Sequence, residues 1–287
     1  MDSGGWFDLL FTRGAPAGTL WAWGNGAHLV YLALAVVAVV VSVRALTKVP
    51  VAKQDRVIKW LAWSVFSIWI VPPALMCVFD TGERWIDHLP LHLCTSASIL
   101  IPIGLLRRNQ VLLNFGFGLG IPGAAAAIIF PGEMFRYLSS YSVHYFLHNI
   151  GHILPIVACL APIAMGWWRP SWRYYPATLG VGVVLMAIAY PVNKWTGSNY
   201  FFVNWPERGT ILETFGTMFG PSMYLPVLVV IAAVVIAAMF GIWSLVAALA
   251  KLRRSGRSSG RSSGPRARPR QTLIGATRQA SPGPAAP

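Results

Sequence analysis

Charge is what this sequence has least of. Only 11% of its 287 residues are charged, against about a quarter in a soluble domain. Too few polar side chains remain to cover a large soluble core, which excludes one. Cysteine is scarce too: three residues, at 77, 94 and 159. An odd number without metal-ligand or redox spacing argues against a disulfide framework and against a cysteine-based metal site. The first 20 residues lack a basic stretch followed by a continuous apolar run, so no signal peptide is expected. Walker and zinc-protease motifs are absent.

What is present is apolar. Hydrophobic residues make up 55% of the chain, and several runs approach the ~20 residues needed to cross a bilayer. The expected fold is all-α, a polytopic membrane bundle of seven transmembrane helices, at about residues 26–46, 58–79, 88–106, 110–130, 142–166, 174–192 and 224–250. Loop charge alternates along the chain. The first, third and fifth loops are basic, marked by RALTKVPVAKQDRVIK, Arg107 with Arg108, and Arg169 with Arg173. The second, fourth and sixth are acidic or balanced. The positive-inside rule then puts the N-terminus outside and the C-terminus in the cytoplasm, in a multi-pass protein of the cell membrane. Trp167, Trp168 and Trp172 are expected to anchor one interface.

Three parts follow. Residues 1–25 form an extracytoplasmic segment, 26–250 the membrane domain, and 251–287 a cytoplasmic tail. The tail holds nine of the 23 basic residues and no acid, so it carries +9 of the net +14. Its Gly, Pro, Ser and Arg content predicts disorder, with attraction to anionic lipid headgroups as its expected interaction. It has no interleaved aromatics or reader module, so nucleic acid is not an expected partner. The sequence leaves the oligomeric state open.

Ionisable groups at membrane depth are costly and usually face the bundle interior. The segment LPLHLCTSASIL places His92 and Cys94 near the start of the third helix. HYFLHNIGH places His144, His148 and His152 on one stripe of the fifth. Both helices enter from the same side. At ~1.5 Å per residue, Cys94 and His148 each lie about 9 Å below the boundary, so a thiol and an imidazole can meet there. His92 and Cys94 differ by about 200° around their helix, so His92 points elsewhere. Cys77 and Cys159 are expected to be small apolar fillers. A thiolate made by a neighbouring imidazole attacks an ester carbonyl, and ester lipids surround this one. Asn193, Asn199 or backbone N–H groups are candidates for the oxyanion, and Tyr200 for substrate contact. The loop 193–216 combines turn formers with aromatics, as suits a partly buried cap or an interfacial anchor. GFGLGIPGAAAA in the fourth helix suits close helix packing.

Four segments, in order, resemble the YwaF-like bacterial integral membrane proteins: LPLHLC at 89–94, GFGLGIPGAAAAIIFP at 116–131, FLH with a proline seven residues after its His148, and VNKWTGSNYFF at 192–202. That family is similar to a eukaryotic transmembrane acyltransferase making polyunsaturated ether phospholipids. The resemblance implies Cys94 as acyl acceptor and His148 as its base, with membrane phospholipids as substrate. His152, one turn on, is a second candidate base. No cofactor or metal is implied. Two other readings stay open: metal or haem ligation by His92, His144, His148 and His152, and a non-catalytic transporter or assembly factor.

Overall fold

The computed structural model describes residues 10, 20–78, 86, 89–131, 135 and 138–259. The tail expected to be disordered from 251 is helical as far as Ser259, because the helix before it runs on; the tail from 260 onward, most of residues 1–25, the charges of the second loop and the side chain of Cys77 lie outside the described residues. Among the described residues there are seven long helices. We number them α1 (Gly26–Leu46), α2 (Val51–Val78), α3 (Leu93–Arg107), α4 (Gln110–Ile129), α5 (Val143–Ala164), α6 (Tyr175–Thr196) and α7 (Ile211–Ser259). Five of them, α1, α4, α5, α6 and α7, are long and apolar enough to cross a membrane. Among the described residues, the end of α7 from 245 to 259 is a unit of its own, apart from the residues up to Ser244.

The two helices outside that set differ from expectation for physical reasons. α2 starts at Val51, seven residues earlier than the apolar pattern suggested, because VAKQDRVIK forms helix despite its four charges. Long Lys and Arg stems tolerate such a position by reaching toward water. α3 starts at Leu93, later than expected, and has 15 residues, about 22 Å of rise against a ~30 Å hydrocarbon core. Residues 89–92 enter as an irregular turn instead.

α4 and α5 are the most buried spans, while α1 and α7 turn most of their surface outward. Outward residues on α1 include Leu29, Val30, Leu34 and Val37, a surface suited to lipid tails. α4 is central because its glycines let other helices approach. A Cβ on Gly116 would stand 2.7 Å from Cys159 Sγ on α5 and 3.0 Å from Ile101 on α3. One on Gly118 would meet Thr178 of α6 at 3.0 Å and Ile236 of α7 at 3.4 Å. Residues Gly116–Gly120 make a π-helical turn inside α4. Cys159 is buried in this packed core, where it acts as a small filler. α7 is broken where Gly220 takes φ 73°, just before Pro221. A short helix, 211–219, therefore precedes the long one.

Side-chain bonds collect the loops at two ends. Arg108 pairs with Asp55 at 2.7 Å and sits 5.4 Å from the Trp167 ring centre. Trp168 donates to Gln110 at 2.9 Å, and Ser171 N–H donates to Asn114 at 3.0 Å. The first, third and fifth loops thus share one end. At the other end, Asn25 donates to Ser140 at 3.1 Å, and Leu89 N–H donates to the Tyr200 hydroxyl at 3.2 Å. Trp168, expected as an interfacial anchor, is buried in the core instead, since its N–H finds a protein partner there. Trp172 is about half exposed. With charge alternating on this frame, reporter fusions at residues 50 and 255 are expected to read cytoplasm and one at 84 the exterior. An interior signal at 84 would overturn that orientation.

Candidate active site

Cys94 is the second residue of α3. The N-cap residue, His92, makes no side-chain cap bond, so the first backbone N–H groups of the helix lack the usual acceptor. The N–H groups of Cys94 and Thr95 lie near the Cys94 sulfur. Ser98 and Thr95 bond back to the carbonyls of Cys94 and His92 at 3.0 and 3.1 Å. Ser96 reaches the Pro90 carbonyl at 2.8 Å, which holds the preceding turn against the helix. On α4, Gly123 leaves room for Leu93, which would lie 2.7 Å from any Cβ there.

The thiol of Cys94 lies within interaction range of the imidazole of His152. The His152 Nδ1–H donates to the His148 backbone carbonyl at 2.6 Å. A carbonyl only accepts, so Nδ1 carries the hydrogen and Nε2 is left bare. Nε2 is then the ring nitrogen that can take a proton from the thiol. His152, the second candidate base, is the histidine that acts on Cys94, while His148 bonds elsewhere. Residues 89–92 are bends and turns rather than the helix expected from residue 88, so a depth counted at ~1.5 Å per residue from that point does not hold for Cys94.

His148 has another role. An α-helix leaves its last four carbonyls without helical partners, and inside a bilayer water does not supply them. At the end of α4 each has one. Phe130 N–H takes Ala126 at 2.7 Å, His148 Nε2 donates to Ala127 at 3.1 Å, His28 Nε2 to Ile128 at 3.2 Å and Trp23 Nε1 to Ile129 at 3.0 Å. His148 thus caps α4. Its ring also packs on Phe135, with centroids 4.7 Å apart, and on His152 at 4.2 Å. His28 was missed by the sequence reading. It is buried, and Gly24 N–H donates to its Nδ1 at 2.9 Å. A histidine in the first turn of an apolar run was the signal that marks it.

The other candidates stand apart from the thiol. His92 faces Tyr200 and Phe202, at ring-centroid distances of 5.0 and 5.3 Å. Asn193, expected in a loop, lies in the last turn of α6, which Gly197 ends at φ 72°. Its amide donates to the Tyr200 carbonyl at 2.9 Å and accepts from Tyr200 N–H at 2.7 Å. Asn199 donates to the Trp205 carbonyl at 2.9 Å and accepts from Asn204 N–H at 3.1 Å. Both amides therefore hold the loop in shape. In the loop Tyr200 and Val203 are buried, while Trp205 is about half exposed. His144 is buried on α5. Among the described residues, no three His, Cys, Asp or Glu side chains gather as a metal site.

A bundle of apolar helices, five of them long enough to cross a bilayer, defines a multi-span integral membrane protein. The chain belongs to the TMEM164 family, whose family model matches residues 23–244. That range includes α1 to α6 and α7 as far as residue 244. No curated protein and no solved structure matches the chain.

Proposed function

We propose that this protein is a lipid acyltransferase or acyl hydrolase of the cell membrane, working through a thioester on Cys94. The observation that carries the reading is the Cys94–His152 pair, with His152 Nδ1 fixed on a backbone carbonyl. In this scheme Nε2 of His152 takes the thiol proton as sulfur bonds to the ester carbonyl carbon of a phospholipid. The oxyanion accepts hydrogen bonds from the N–H groups of Cys94 and Thr95, a donor pair at a helix N-terminus. The carbon–oxygen ester bond then breaks, and the leaving alkoxide receives the proton from His152. A second alcohol, or water, attacks the thioester and gives its proton to His152, and sulfur leaves as the restored thiol.

The YwaF-like motifs, and through them the similarity to the eukaryotic ether-phospholipid acyltransferase, support the same chemistry. The basic end of the bundle faces the cytoplasm in this reading, so Cys94 works on the outer-leaflet half. The basic tail lies against anionic headgroups. Nothing in the placement of His92, His144, His148 and His152 favours a shared metal.

The test is lipid profiling of cells that lack the gene, complemented by wild type or by Cys94→Ala. Wild type is expected to restore the missing lipid species and Cys94→Ala to behave as the deletion. Full restoration by Cys94→Ala would remove the thioester mechanism.

A further inference from the structure

The loop after α6 contains two adjacent aromatic residues in the left-handed backbone region, Phe201 at φ 59° and Phe202 at φ 55°. Residues with a Cβ seldom hold that conformation, and where they do the surroundings must impose it. Here Asn193 imposes it. Its side chain grips both the N–H and the carbonyl of Tyr200, and both residues are about 1% exposed. Tyr200 is thereby a fixed post projecting from the end of α6.

The post bears on the start of α3. Its hydroxyl accepts from Leu89 N–H at 3.2 Å. Its ring meets His92 edge to face, and Phe202 meets His92 from a second direction. Residues 89–92 are thus held out of the helix, and α3 begins at Leu93 with an uncapped first turn. A consequence follows for Cys94: the point where the helix begins fixes where its second residue stands, and the thiol there lies in range of His152.

We infer that Asn193, Tyr200 and His92 form a positioning chain that sets where α3 begins and so places the Cys94 thiol on His152. This rests on the nucleophile reading above. His92 works in it as an aromatic wedge and not through proton transfer, and Tyr200 works as a hydrogen-bond acceptor for a backbone N–H.

The experiment measures the rate at which a hydrophobic maleimide alkylates Cys94 in the full chain in lipid nanodiscs, quantified at that residue by peptide mass spectrometry. Tyr200→Phe keeps the ring and removes the acceptor. It is expected to slow Cys94 alkylation by about tenfold, as small displacements of a reacting group do. The effect should be non-additive with His152→Ala: the double variant should react no more slowly than His152→Ala alone. His92→Ala is expected to slow alkylation as well, and His92→Phe to restore it, because the wedge needs a ring and no titratable nitrogen.

An unchanged rate in Tyr200→Phe, or rate losses that multiply with His152→Ala, would overturn the positioning chain alone. So would His92→Phe as slow as His92→Ala. If His152→Ala itself leaves the rate unchanged, the nucleophile reading fails and the inference falls with it.

Discussion

Replacing His152 with alanine is expected to cut the reactivity of Cys94 toward a lipid-ester or thiol probe on the order of 10²-fold, the usual contribution of a positioned general base. A thiol without a proton acceptor stays largely protonated at neutral pH, and the thiolate is the reactive form. His148→Ala is expected to behave differently. It removes the imidazole but keeps the backbone carbonyl that holds His152 Nδ1, so His152 stays oriented. Its cost falls on stability instead. The Ala127 carbonyl loses its side-chain donor, and a buried acceptor left unsatisfied costs about 1–3 kcal/mol. The two variants should therefore separate, one losing reactivity with its melting temperature little changed, the other melting earlier with its labelling largely intact. Labelling rates and thermal unfolding of both variants in the same nanodiscs check this. The reverse pattern would return the base to His148.

Gly116→Ala is expected to lower stability by about 1–3 kcal/mol, the cost of overpacking a filled core. The new methyl would stand 2.7 Å from Cys159 Sγ and 3.0 Å from Ile101 Cγ1. Both neighbours belong to the packed core and cannot swing into solvent. Cys159→Ala removes the nearer atom, so the double variant should recover part of the loss, with a coupling of about 0.5–3 kcal/mol. Cys159→Ala alone should leave Cys94 labelling unchanged. Thermal unfolding of the four proteins completes the cycle. Additive losses would show that α4 and α5 separate to admit the methyl.

The helices were legible from their apolar runs, and five of them, α1, α4, α5, α6 and α7, are long and apolar enough to cross a membrane, where lipid leaves the backbone no alternative to helix. The close packing of α4 was legible from GFGLG for a similar reason: only glycine lets several helices approach one at once. The presence of a thiol and imidazoles at related depth could also be read, from loop charge and helical rise. Which imidazole meets the thiol could not. On the positioning chain we infer, that choice is tied to where α3 begins, and the segment just before α3 is bonded to Tyr200, 111 residues from Leu89 along the chain. The capping of α4 by His28, Trp23 and His148 is likewise a meeting of distant segments, with His28 and Ile128 100 positions apart along the chain. Local pattern determined the elements and the residue types at membrane depth. The pairing of Cys94 with His152 was decided only in the tertiary structure, because one helical turn, about 5.4 Å, separates the two histidines, and no local rule measures depth that finely.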